Sequence, residues 1–260
     1  MNLYFEMLSK PIFTIDDVCK FYKNTNTARS ALQNLVKQNL AVKIRNNMYT
    51  CISGETGKVI ANKYQIACGI SDTAYLSHHT AIEYHGLSKQ VSYDIYVTSK
   101  TRFREFKFDG YTYKYVPYKT TSDIENIEYS EGVRVTDIEK TLVDSIDYMD
   151  SISDMSEVIS VIKTVEKLDE KRLYKYLKEY NKQFLYQKSG FLIENYFEGS
   201  GITNKFCEVC LEHIEKSKRY LIKNHLNGIY NSKWKMVLPE GGLLIENDNY
   251  DYIVKNDNKI

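Results

Sequence analysis

Four groups of side chains in this chain have types and spacings that can do chemistry. His78, His79 and His85 in "SHHTAIEYHG" offer imidazoles for a metal or for acid–base work. Asp137, Glu139, Asp144 and Asp147 in "TDIEKTLVDSID" offer carboxylates for a divalent ion. Cys207-x-x-Cys210, followed by His213, offers soft zinc ligands. The fourth group is of another kind: Asn26, Thr27, Arg29, Ser30, Gln33 and Lys37, followed by Lys43, Arg45, Asn46 and Asn47. These are cations and hydrogen-bonding groups without a nucleophile. Arg pairs with a guanine edge, Gln or Asn with adenine, and Lys and Ser with phosphate.

The first three groups have ordinary folding roles available. A helical zinc pair needs His at i and i+4. Here the separations are one, six and seven residues, and His78 and His85 would lie about 10 Å apart along a helix. Ser77 suits an N-cap with Thr80 at N3, Leu76 can staple on Ala81, and Gly86 suits a left-handed C-terminal stop. Thr136 is expected to cap a helix over 137–149. Asp137 and Glu139 would then sit where the helix dipole favours acids. Asp144 and Asp147, one turn apart, leave a shared divalent ion open. The Cys/His group lacks a second CxxC to complete four ligands; with Phe206, Leu211 and Ile214 it reads as a buried stripe. There is no P-loop, dinucleotide fingerprint or Ser/Cys–His nucleophile motif, so neither cofactor nor metal is expected.

The elements that must position the fourth group fill residues 1–55. "NLYFEML" has helical spacing, and "PIFT" is a short extended piece. Thr14 can cap a second helix, with Asp17 three residues on. After the polar turn "KNTNT", residues Ala28, Ala31, Leu32, Leu35, Val36 and Leu40 recur at helical spacing. Two strands, "AVKI" and "MYTCI", flank Arg45-Asn46-Asn47, where Asn tolerates a tight turn. Helix, strand, helix, turn, helix and ribbon is the order of a winged helix-turn-helix. No Asp or Glu occurs from 18 through 54, whereas a merely solvated face normally mixes in Glu.

From 56 to 260 a larger α+β domain is expected, with a short sheet and a helical block. A helix is expected near 58–70 and a strand at "YDIYVTS". "FREFKFDGYTYKYVPY" reads as a hairpin turning at Asp109-Gly110, with Arg104, Lys107, Lys114 and Lys119 along it. That face fits either solvent or nucleic acid. "VRVTD" is a further strand, and helices are expected near 154–167, 169–181, 184–198 and 203–217, capped by Asp154, Asp169 and Thr203. "KRYLI", "WKMVL" and "GLLIE" suggest closing strands.

The 260 residues carry a formal net charge of only +1, so nucleic-acid binding must come from a local patch. Charge is segregated: the first 55 residues are basic and 123–157 strongly acidic. No 18-residue apolar run or signal-like start is present, so no membrane partner is expected. The five scattered cysteines fit free thiols in a reducing cytoplasm.

"YLSHHTAIEYHGL" (75–87), "VRVTDIEKTLVDSID" (133–147) and "YNSKW" (230–234) together resemble motifs of the AbiE-type abortive-infection antitoxins. The winged helix fits that family in position. In the family the wing often has Gly before the strand that carries its Tyr; here Asn47-Met48-Tyr49 stands instead, and Asn can take the same left-handed conformation. The resemblance implies a phage-defence antitoxin that represses its own promoter at inverted repeats and self-associates on DNA. It also implies functional pairing with a nucleotidyltransferase-type toxin without a stable complex, a type IV arrangement, the domain beyond residue 55 opposing the toxin. A stand-alone transcription factor with a sensory second domain also fits the residues. A metal-dependent nuclease using Asp144 and Asp147, or the Cys/His group, is the enzymatic alternative.

Overall fold

The computed structural model describes residues 2–88, 90–119, 124–126, 130–149, 152–214, 217–222 and 228–239. The strand expected at "GLLIE" and the polar tail after it lie outside them.

The chain opens with α1 (Leu3–Leu8), whose first turn is capped by the Asn2 side chain accepting from the Tyr4 amide. In α2 (Ile15–Cys19) the Thr14 amide and hydroxyl both donate to Asp17 Oδ2, at 3.0 and 3.2 Å. A five-residue turn leads to α3 (Thr25–Lys37), capped by Asn24 Oδ1 accepting from the Asn26 amide at 2.7 Å. Asn39 ends this helix with φ +56°, and the Leu40 amide folds back to the Leu35 carbonyl at 3.0 Å. Strands β1 (Ala41–Arg45) and β2 (Met48–Cys51) pair antiparallel. Phe13 joins them as a third, single-residue strand, exchanging both backbone hydrogen bonds with Tyr49. Ala28, Leu32 and Leu35 of α3 are buried with Leu3, Met7, Phe13, Val18, Ala41 and Cys51 in one small core. Winged helix-turn-helix order is therefore present as expected.

After α4 (Lys63–Cys68), capped by Asn62 with Gln65, come β3 (Tyr75–Leu76) and α5 (His78–Tyr84). Then follow β4 (Asp94–Ser99), β5 (Phe106–Phe108), β6 (Tyr111–Pro117), β7 (Ile124–Asn126) and β8 (Arg134–Thr136). They form a mixed six-stranded sheet in the order β5-β6-β4-β3-β8-β7. The hairpin between β5 and β6 turns at Asp109 (φ +49°) and Gly110 (φ +80°), the paired left-handed residues of a two-residue turn. Arg134 holds the chain between α4 and β3: Nε donates to the Ala74 carbonyl, and Nη2 to those of Ser71 and Cys68.

The helical block follows: α6 (Ile138–Asp147), α7 (Met155–Thr164), α8 (Glu170–Tyr180), α9 (Gln183–Tyr196) and α10 (Asn204–Glu212). Strands β9 (Arg219–Tyr220), β10 (Gly228–Asn231) and β11 (Met236–Pro239) make a second sheet, β11 running parallel to β9 and antiparallel to β10. Helix α9 is buried nearly all round, and the Trp234 ring lies so close to Gly190 that a Cβ there would stand 2.2 Å from it. Asn231 Oδ1 accepts from the Trp234 amide, and Trp234 Nε1 donates to Glu194.

The architecture is mixed α+β, and it packs as two compact units. One is Met1–Ala81 with Val91–Tyr118 and Asp123–Thr136; the other is Ile82–Gln90 with Lys119–Ser122 and Asp137–Ile260. The division expected near residue 55 is not where compactness divides the chain. The winged helix shares its unit with the six-stranded sheet, and Gly69 at the end of α4 lies close to Ile12 and Met48.

Asp17 ties both ends of α2 to the segment that follows α1. It accepts from Lys10 and Lys20 as well as Thr14. Burial works to raise its carboxyl pKa, but the hydrogen bonds from Lys10, the Thr14 amide and Lys20 outweigh it and hold the group at about 2. A folded-state value below the unfolded one adds stability that is present above about pH 4 and lost as pH falls through about 2. Asp17→Asn should cost about 1 kcal/mol at neutral pH, less than the full shift because solvent screens the exposed lysines. In urea melts across pH the gap to wild type should close between about pH 4 and 2; a gap constant with pH would refute the assignment.

Candidate nucleic-acid interface

Helix α3 has two unlike sides because its apolar residues recur at 28, 32 and 35. With that side buried, Asn26, Thr27, Arg29, Ser30, Gln33 and Lys37 are all exposed. Arg29, Gln33 and Lys37 stand at i, i+4 and i+8, one row along the helix. The hairpin closes on this row. Arg29, Gln33, Lys37, Lys43, Asn46 and Asn47 line one open groove of about 500 Å³, with Ile15, Leu32, Val36 and Tyr49 completing its walls. The structure thus gathers six of the expected residues in one place.

The hairpin tip is set by Asn47, which adopts φ +52°, the conformation expected of it in place of Gly. Its Oδ1 also accepts from the Ile15 amide at 3.0 Å, fastening the wing to the first turn of α2. No acid lines the groove. Among the described residues, no ion pair or side-chain hydrogen bond engages Arg29, Lys37 or Lys43. Several cations elsewhere are paired: Lys10 and Lys20 with Asp17, Lys114 with Asp94, Lys119 and Lys182 with Asp147. The groove therefore presents unneutralised positive charge beside amide side chains that can both donate and accept.

Arg45 departs from expectation. The β1–β2 register slips between Lys43 and Arg45, a bulge that breaks the alternation by which both would share a face. Lys43 lines the groove, while the Arg45 guanidinium sits 5.5 and 5.2 Å from the ring centres of Phe103 and Phe106. Burial pulls its pKa down.

The other three groups are built into the scaffold. The Ser77 carbonyl accepts from the Ala81 amide at the start of α5, its hydroxyl meets Thr98 Oγ1 at 2.8 Å, and Thr80 Oγ1 accepts from the Tyr96 amide at 2.8 Å. Both hydroxyls thus tie the helix start to β4, and His78 takes φ +53° with Nδ1 at 3.0 Å from Ser77 Oγ. Gly86, at φ +72°, ends the helical turn as expected, the Leu87 amide returning to the Ile82 carbonyl.

On α6 the cap is Asp137, one residue later than the expected Thr136: its Oδ1 accepts from the Lys140 amide at 2.7 Å. Its other oxygen takes Arg172 and the Tyr176 hydroxyl. Glu139 accepts from the Asp169 amide. Asp144 faces buried Lys140 at 3.1 Å and also accepts from Tyr180. Asp147 lies between Lys119 and Lys182; burial works against its charge, but the two ammonium groups win and keep its pKa low. Asp144 and Asp147 therefore serve different cations and do not share a ligand position. Burial raises both the Cys207 and Cys210 thiols, and His213 stacks on Tyr186 at 4.0 Å while donating to the Val209 carbonyl. Among the described residues no three His, Cys, Asp or Glu gather as a metal-holding group. No described helix is long and apolar enough to cross a membrane.

No family model and no curated protein matches this chain. Among solved structures, the chain is similar to the crystal structure of RV2827C protein from Mycobacterium tuberculosis, with a TM-score of 0.63 at 13% identity, covering 91% of this chain and 89% of that one. The likeness is one of fold, and it runs through both compact units.

The buried pair on α6 gives a direct test of its structural role. Lys140→Met leaves Asp144 enclosed with its cation gone and should cost about 3–5 kcal/mol in urea denaturation. Adding Asp144→Leu should restore most of that loss, since removing both charges removes the desolvation cost. A double variant no more stable than the single one would count against the assignment.

Proposed function

We propose that this protein binds duplex DNA through α3 and the β1–β2 hairpin and represses transcription. The observation that carries the reading is the acid-free groove in which Arg29, Gln33, Lys37, Lys43, Asn46 and Asn47 converge with unpaired cations. Arg29 and Gln33 project from the helix that enters the major groove in this architecture, so they read base edges. Lys37 and Lys43, which line the same groove, hold phosphates. Asn26, Thr27 and Ser30 lie toward the start of α3 and extend the same contact, and Asn46 and Asn47 bring the wing's backbone to the sugar–phosphate chain.

The motif resemblance takes the reading further. The protein acts in the cytoplasm as an antitoxin of an abortive-infection pair, assembling on inverted repeats of its own promoter. The chain beyond residue 55 opposes a nucleotidyltransferase-type toxin without holding it in a stable complex. Neither role asks for a reaction at the histidines, the α6 acids or the cysteines.

Mobility shifts on specific and scrambled duplexes across salt test the DNA contacts. Arg29→Ala should relax sequence choice and weaken the specific complex by about 1–3 kcal/mol. Lys43→Ala should weaken every duplex alike and lower the salt slope by about one. Equal losses on all duplexes for Arg29→Ala reject base reading. Co-expression with the adjacent reading frame tests the antitoxin role: growth restored by the full chain carrying Arg29→Ala and Lys43→Ala supports it, and rescue lost together with DNA binding favours simple repression.

A further inference from the structure

The groove leaves one arginine of the wing unused. Arg45 sits at the wing tip beside Asn46 and Asn47, yet it is half-buried. Its Nη1 is enclosed, with no hydrogen-bond partner among the described residues. An enclosed Nη1 leaves the guanidinium fewer donors to offer a phosphate. Instead the guanidinium covers two rings, Phe103 and Phe106, of the segment leading into β5. The rings are themselves fixed: Phe106 stacks on Tyr113 with centroids 4.7 Å apart, and Phe103 meets Phe106 and Tyr115 edge-on. The bulge between Lys43 and Arg45 turns the arginine to this side and leaves Lys43 on the other.

We propose that Arg45 is a positioning residue for the DNA face, holding the wing tip on the aromatic cluster of the six-stranded sheet so that Lys43, Asn46 and Asn47 meet the duplex in one geometry. The inference rests on the DNA-binding reading. A planar guanidinium can lie flat on a ring, whereas an ammonium is a compact, strongly hydrated charge. Lysine therefore replaces arginine well at a phosphate and poorly on stacked rings.

The full chain is titrated with a specific duplex across salt, as wild type, Arg45→Lys, Arg45→Ala and Phe106→Leu. Arg45→Ala should weaken binding about tenfold while leaving the salt slope at the wild-type value. Arg45→Lys should lose nearly as much, and Phe106→Leu, which keeps the charge and removes the ring, should imitate it. In a Lys43→Ala, Asn46→Ala background, which leaves the structural Asn47 in place, the Arg45→Ala loss should shrink, while in an Arg29→Ala background it should persist in full. A salt slope lowered by about one, or wild-type affinity in Arg45→Lys, makes Arg45 a phosphate contact and overturns the proposal. An undiminished loss in the wing-depleted background makes it general scaffold and overturns it too. Wild-type protein that binds no duplex at all defeats the DNA-binding reading itself, and the role of Arg45 with it.

Discussion

The candidate interface depends on the burial of one side of α3. Ala28, Leu32 and Leu35 enter a small core with Met7, Phe13, Val18 and Cys51. Each buried leucine contributes about 1.5–3 kcal/mol, a large share of what a core this small can gather. A helix so anchored cannot rotate without exposing that surface. The other side, Asn26 to Lys37, is therefore turned outward by the core rather than by its own chemistry. Its lack of acids then decides what it can meet: a surface of positive charge and amide groups, open to solvent, complements a polyanion with hydrogen-bonding edges.

Two asparagines in the left-handed conformation frame this surface. Asn39 stops α3 and sends the chain into β1; Asn47 turns the hairpin and binds the Ile15 amide. The length of α3 and the reach of the wing are thus both set by residues that tolerate positive φ without glycine's loss of backbone entropy. The bulge before Arg45 divides the wing's cations, leaving Lys43 at the groove and giving Arg45 to the rings of the sheet. In the second unit, buried charge has the opposite character. Asp137, Lys140 and Asp144 are enclosed and answered by Tyr176, Tyr180 and Arg172, so that network fixes how α6 and α8 pack.

Local signals were legible in the sequence. The α3 stripe, the Asp109-Gly110 hairpin, the Gly86 stop and the Asp154 and Asp169 caps all act within a few residues, and each appears where its pattern placed it. The misreadings share a cause, which is contact between segments far apart in the chain. Arg45 has the type and place of a phosphate anchor, but Phe103 and Phe106 arrive from more than fifty residues away. The unit boundary misses residue 55 for the same reason, since the winged helix packs with a sheet built from later strands. Strand β10 also lacked a local signal; its side chains are mostly exposed, and it is defined by pairing with β11.

Amide hydrogen exchange on the full chain, with and without a duplex carrying its own promoter, asks most directly which surface meets DNA. The account predicts new protection over Asn26–Lys37 and Lys43–Asn47, falling away as salt is raised. Protection confined to the helical block, with α3 and the hairpin exchanging as in the free protein, would contradict it.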